Sequence, residues 1–151
     1  MDLKLFTLKI ALLVFWTAWF SIVFLTNLFG GLKAAGKLPE TWTFASKNFE
    51  AVKKAASIHA APPWVPALLF AGVILWQAVA AVLFASAALA SLSAGTMTWG
   101  AVNAAFAAGT MLWAAFMIAD EITIKYAYEQ AHELLFILQL ASLVVIYLLP
   151  S

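Results

Sequence analysis

Four long stretches free of Asp, Glu, Lys and Arg take up most of this chain: 10–29, 65–92, 99–119 and 134–149. The first three reach the roughly 20 residues that cross a hydrocarbon layer of ~30 Å. The fourth is shorter, about 24 Å at ~1.5 Å per residue, and must borrow a turn from residues 131–133, tilt little, or sit where a bilayer is thin. In lipid every backbone polar group has to be satisfied within its own segment, so these stretches are expected to be helices. The expected fold is all-α: an integral membrane four-helix bundle forming a single transmembrane domain over 1–151, with spans near 5–29, 64–92, 99–119 and 131–149.

Composition supports the same class. The chain has 151 residues, 66% hydrophobic and 10% charged, with a mean hydropathy of +0.99. A soluble domain of this size could not hide so much apolar surface, and a membrane domain leaves no length for a separate soluble catalytic one. A net charge of +1 gives no reason to expect nucleic acid as a partner. The absence of cysteine excludes disulfides, thiolate zinc sites and iron–sulfur ligation. All eight basic residues are lysines, so no guanidinium can grip a phosphate or carboxylate bidentately. The start, Met1-Asp-Leu-Lys-Leu, is basic and then apolar like a signal peptide. However, the run through Phe29 is too long for an h-region, and Asn27-Leu28-Phe29 is not a small-x-small cleavage site. We expect a retained first span.

Between the spans the pattern changes. Gly30-Gly31 is expected to end the first helix. Within 41–56, Trp42, Ala45, Phe49, Val52 and Ala56 recur at helical intervals, while Lys47, Asn48, Glu50, Lys53 and Lys54 fall mostly elsewhere. This predicts an amphipathic helix lying along the membrane surface. Pro62-Pro63-Trp64-Val65-Pro66 is a rigid lead-in to the second span. Trp64, Trp99, Trp42 and Phe49 are placed at the interfacial layer. The link 93–98 makes the second and third spans antiparallel neighbours. Ala81 and Ala85 in the second, and Gly100, Ala101, Ala104, Ala105, Ala108 and Gly109 in the third, form small-residue rows that let helices approach closely. A turn near 125–128 is expected to join the last two spans. Lysine distribution would place the long connection in the cytoplasm.

Polar residues inside spans are where function is sought first. Gln77, expected near mid-bilayer, and Gln139 are candidates for a ligand lining or an interhelical hydrogen bond, with Asn27 and Asn103 nearer the ends. Asp120, Glu121, Glu129, His132 and Glu133 form an acidic turn able to relay protons or bind a metal. Glu129, His132 and Glu133 are its metal candidates, and Glu129-Gln-Ala-His132 has the Glu-x-x-His spacing of di-iron bundles in a single copy. Bis-histidine haem would need both His59 and His132. No catalytic constellation emerges, and no metal or cofactor is predicted beyond lipid, with haem or quinone as alternatives.

The chain resembles a bacterial family of predicted small integral membrane proteins, a domain of unknown function. The likeness rests on Thr26-Asn27-Leu28, the amphipathic connection, Ile58-His59, Trp76-Gln77, Ala119-Asp120-Glu121, Gln130 and Glu133, and a close at Leu149-Pro150. The family carries Trp-Glu where this chain has Trp76-Gln77, and a basic link where 93–98 is uncharged. The resemblance implies four spans with cytoplasmic termini, opposite to the lysine count, and no assigned activity. The function expected is that of a small accessory subunit of a larger membrane complex, electron-transferring or energy-transducing, in the bacterial inner membrane or an equivalent one. Its partners would be lipids and other membrane subunits. The alternatives are a quinone- or haem-binding anchor and a small oligomeric transporter or channel.

Overall fold

The structure, a computed structural model, describes residues 3–124 and 126–150. Met1, Asp2, Lys125 and Ser151 lie outside the described residues, and with them the Met1-Asp2 start and the pairing of Lys125 with Glu121. Five α-helices follow one another: α1 (Leu3–Ala34), α2 (Asn48–Ala56), α3 (Trp64–Ala94), α4 (Trp99–Thr123) and α5 (Tyr126–Leu148), with a single 3₁₀ turn at Ser57–His59 between α2 and α3. Four of them, α1, α3, α4 and α5, are long and apolar enough to cross a membrane. α1 packs along α3, α3 on α4 and α4 on α5, while α1 and α5 meet more narrowly. The start of α1 and the end of α5 therefore share one end of the bundle. The connection from α1 to α3 and the α4–α5 turn share the other.

The core is aromatic. Phe20 stacks on Phe84 at 5.7 Å and on Trp113 at 5.6 Å, and Phe84 meets Phe106 edge-on at 5.0 Å. Trp16, Phe20, Phe84, Ala87, Val102, Ala105 and Ile146 are fully enclosed. The outward face is equally apolar: Leu68, Leu75, Val82, Leu89, Ile137 and Leu148 are all exposed. Apolar side chains inside and outside together are what a helix bathed in hydrocarbon needs.

Helix ends correct several sequence expectations. α1 does not stop at Gly30-Gly31. It continues to Ala34 and closes at Gly36, whose φ of +67° needs glycine. Lys37 N–H donates to Leu32 O at 2.8 Å and Gly36 N–H to Lys33 O at 3.0 Å, the paired bonds of a Schellman ending. Glycine inside a helix costs only ~1 kcal/mol, so the pair at 30–31 could be spent on packing instead. Gly30 lies against Ser46: a Cβ there would come 2.6 Å from the Ser46 carbonyl oxygen. Gly30→Ala is expected to lower stability by ~1–2 kcal/mol through overpacking against backbone, read as a fall in thermal midpoint in detergent.

The predicted helix over 41–56 is half as long as its periodicity suggested. Only Asn48–Ala56 is helical. The stretch before it folds back along α1. Trp42 and Phe44 pack edge-on against Phe29, and Ser46 N–H donates to Thr26 O at 2.9 Å. Tertiary contacts with α1 outweigh the local helical pattern. The last turn is tighter than expected: α4 runs to Thr123, Ile124 takes a left-handed φ of 54°, and α5 begins by Tyr126.

Candidate functional site

Polar side chains gather at three levels of the bundle. The first lies where the connection meets α1 and α3. Asn27 is its hub. Its Nδ2 donates to Gln77 Oε1 at 2.9 Å, and its Oδ1 accepts from Ser46 Oγ at 2.6 Å and Asn48 Nδ2 at 2.9 Å. One buried carboxamide thus fastens the connection, α1 and α3 together. Gln77, expected near the bilayer centre, is 1% exposed and lies at the level of Asn27. Its neighbour Trp76 donates its indole N–H to Ala108 O at 3.0 Å, stapling α3 to α4.

The second level is at the other end. Lys9 is 1% exposed. Its ammonium donates to Leu149 O at 2.8 Å and lies over the Trp99 ring at 5.9 Å. Trp99, expected as an interfacial ring, is half-buried and stacks on Tyr147 at 4.3 Å, and Tyr147 Oη donates to Asn103 Oδ1 at 2.8 Å. Sequence reading assigned Lys9 no role. A lysine directly before an apolar run reads as a topology signal, and nothing local announces an acceptor 140 residues away.

The third level is the α4–α5 seam. Trp113 and Asp120 are seven residues apart on α4, as are His132 and Gln139 on α5, so each pair shares a face. His132 Nδ1 lies 2.5 Å from Asp120 Oδ2. The imidazole sits 4.9 Å from the Phe116 ring and 6.5 Å from that of Trp113. Further along, Gln139 is fully buried against Gly109, where a Cβ would come 2.6 Å from Oε1 and 2.7 Å from Cδ. Among the described residues, Gln139 Nε2 and Oε1 and the indole nitrogens of Trp19 and Trp113 are buried polar atoms without a hydrogen-bond partner. Such groups are rare and costly, and three side chains carry them here. Asp120→Ala would leave the His132 imidazole among aromatic rings without its carboxylate partner. We expect a loss of ~1–2 kcal/mol, measured by thermal unfolding.

Other candidates are placed differently from their expected roles. His59 Nε2 donates to Ile122 O at 2.8 Å, so both histidines anchor the end of α4. That bond takes His59 Nε2 away from axial haem ligation. Glu129 and Glu133 follow along α5, but His132 takes its carboxylate partner from α4. Among the described residues no three His, Cys, Asp or Glu side chains converge to hold a metal. Gln77 bonds to Asn27 between α1 and α3, whereas Asn103 and Gln139 meet Tyr147 and Gly109 between α4 and α5.

The small-residue rows are used selectively. Ala105 and Gly109 are buried, Ala101 packs against the core, and Ala81 is buried with Ala85 partly so. Gly100 and Ala104 face outwards, with open space beyond the Gly100 position. Four-residue spacing alone does not tell which of two parallel rows meets a neighbour. Trp64 is exposed at the start of α3, Trp42 is exposed on the connection, and Phe49 of α2 packs on Phe70 at 5.3 Å.

No protein-family model matches the chain, and neither does any curated protein or solved structure. The functional reading rests on the geometry.

Proposed function

We propose that the chain is a four-span integral membrane protein, with α2 on the membrane surface, that serves as a small non-catalytic subunit of a larger membrane assembly. The observation that carries this reading is the state of α5. In its most apolar stretch 11% is buried, against 28–33% in the other three long helices. Leu134, Ile137, Leu138, Val144 and Val145 all point away from the bundle. The polar side chains of the spans are mostly consumed in internal bonds, which suits a structural role. The predicted small integral membrane protein family, whose motifs the chain resembles, would fit the same architecture. A bacterial inner membrane and an energy-transducing partner are the setting we propose.

The test is affinity purification of the tagged chain from its native membrane in mild detergent. Larger membrane subunits in fixed ratio are expected, and a lone homo-oligomer would overturn the reading. Ile137→Trp alters only the outward face of α5. It is expected to leave stability within ~0.5 kcal/mol of wild type while depleting those subunits.

A second reading is favoured by the α4–α5 seam. The unpartnered Gln139 carboxamide and Trp113 indole N–H offer donors to a flat carbonyl-bearing ligand, and quinone has that chemistry. A quinone extracted from the purified wild type and lost in Gln139→Leu would favour it. A haem anchor gains no support from the histidine bonds, and a channel gains none from the separated polar residues.

A further inference from the structure

The corner between α1, α2 and α3 holds two adjoining hollows. One, of about 450 Å³, is mixed, with the charged side chains of Lys33, Lys47, Glu40 and Glu50 set among apolar ones such as Trp42. The other, of about 390 Å³, is apolar and opens between Gly31, Ala67, Phe70, Ala71 and Ile74. Ala34 and Phe49 line both. Both are open grooves rather than enclosed cavities. The apolar hollow exists because the facing positions of α1 and α3 are small. Phe70 closes its inner wall, where a Cβ on Gly31 would touch the ring at 3.4 Å.

The charges in the first hollow are unevenly committed. Lys33 donates to Glu40 O at 2.6 Å and Trp42 O at 3.3 Å, and its ammonium lies 3.4 Å from Glu40 Oε2. Glu50 is paired with Lys53 at 2.9 Å. The Lys47 ammonium makes no hydrogen bond or ion pair among the described residues. Lys47 is also the N-cap of α2, where no side-chain cap bond forms, and the positive end of that helix adds to the preference for an anion. An anionic head beside Lys47 and a hydrocarbon tail beyond Phe49 would satisfy both hollows at once. A soluble anion would leave the apolar hollow unfilled, and a simple hydrocarbon would leave Lys47 unpaired.

We propose that this corner binds one glycerophospholipid, its phosphate at Lys47 and one acyl chain in the hollow between Gly31 and Ala71. The site would bind a discrete lipid, distinct from the annulus that any membrane helix collects. Lipid occupying both hollows would also brace the connection against α1 and α3 at the level of the Asn27 hub.

The test uses the full chain purified in a maltoside detergent and titrated with short-chain phosphatidylglycerol and phosphatidylethanolamine under native mass spectrometry. One tightly retained lipid per chain is expected. Lys47→Ala removes the free cation, and Ala71→Phe fills the hollow with a ring. Each is expected to weaken retention roughly tenfold, the scale of one charge-assisted hydrogen bond or one displaced apolar contact set. Leu89→Ala, on the outward face of α3, should not change it. Ala35→Leu fills the same hollow from the residue just past α1, which also lines it, and serves if Ala71→Phe does not fold. Retention unchanged in Lys47→Ala and in the hollow-filling variant would overturn the proposal. So would glycerol phosphate binding as tightly as the lipid and indifferent to the filled hollow, which would make this a site for soluble phosphoesters.

Discussion

Asn27→Leu is expected to cost ~2–4 kcal/mol and to free the connection from α1. The residue serves three partners at once, Gln77, Ser46 and Asn48. Leucine matches asparagine in size, so the effect comes from the lost bonds rather than from a void. Removing one side of a buried hydrogen bond leaves its partner unsatisfied at ~1–3 kcal/mol. Gln77, 1% exposed, carries most of that penalty, while Ser46 and Asn48, partly accessible, recover part of theirs from solvent. Thermal unfolding in detergent gives the magnitude. Hydrogen exchange over 41–47 tests the location, since this segment should exchange faster while the centres of α3 and α4 do not. A variant as stable as wild type, with an unchanged exchange map, would show that the hub does not hold the connection. Gln77→Leu added to Asn27→Leu should recover part of the loss, because removing both members of a polar pair costs less than removing one.

The second large effect lies at the Gly109–Gln139 crossing. Gly109→Ala alone is expected to destabilise by ~2–3 kcal/mol, because a methyl group there meets the Gln139 carboxamide and the two helices must part or the side chain must leave its rotamer. In a Gln139→Ala background the same change should be neutral or favourable by up to ~1 kcal/mol, the helix propensity gained on replacing glycine. The sign of Gly109→Ala therefore reverses with its neighbour. A double-mutant cycle reads this as a coupling of ~2 kcal/mol or more, and additive effects would refute the close approach. Gln139→Leu, which swaps unpartnered polar atoms for apolar ones, is expected to stabilise the bundle by ~1 kcal/mol.

The four long helices were legible because a run of residues without charge has few alternatives, and the starts at Trp64 and Trp99 follow from Pro62-Pro63 and from the short link before Trp99. What could not be read depends on partners distant in sequence. Gly30-Gly31 looks like a terminator until Ser46 is seen to rest on it. The amphipathic repeat from Trp42 to Ala56 is genuine, but Trp42 and Phe44 gain more by packing on Phe29 than by continuing a helix. Among the polar residues, sequence identified Gln77, Gln139, His59 and His132 as exceptional and left their partners open. Asn27 emerged as a hub only once the connection was seen folding back. Lys9 was missed because its acceptor, the Leu149 carbonyl, is a backbone group that any residue could supply.

That bond between Lys9 and Leu149 has a consequence for biogenesis. The cation directly precedes the charge-free run of α1 and lacks this acceptor until Leu149 has been synthesised. Until then the ammonium must keep its water. The latch between α1 and the end of α5 therefore closes only once all four long helices have been made.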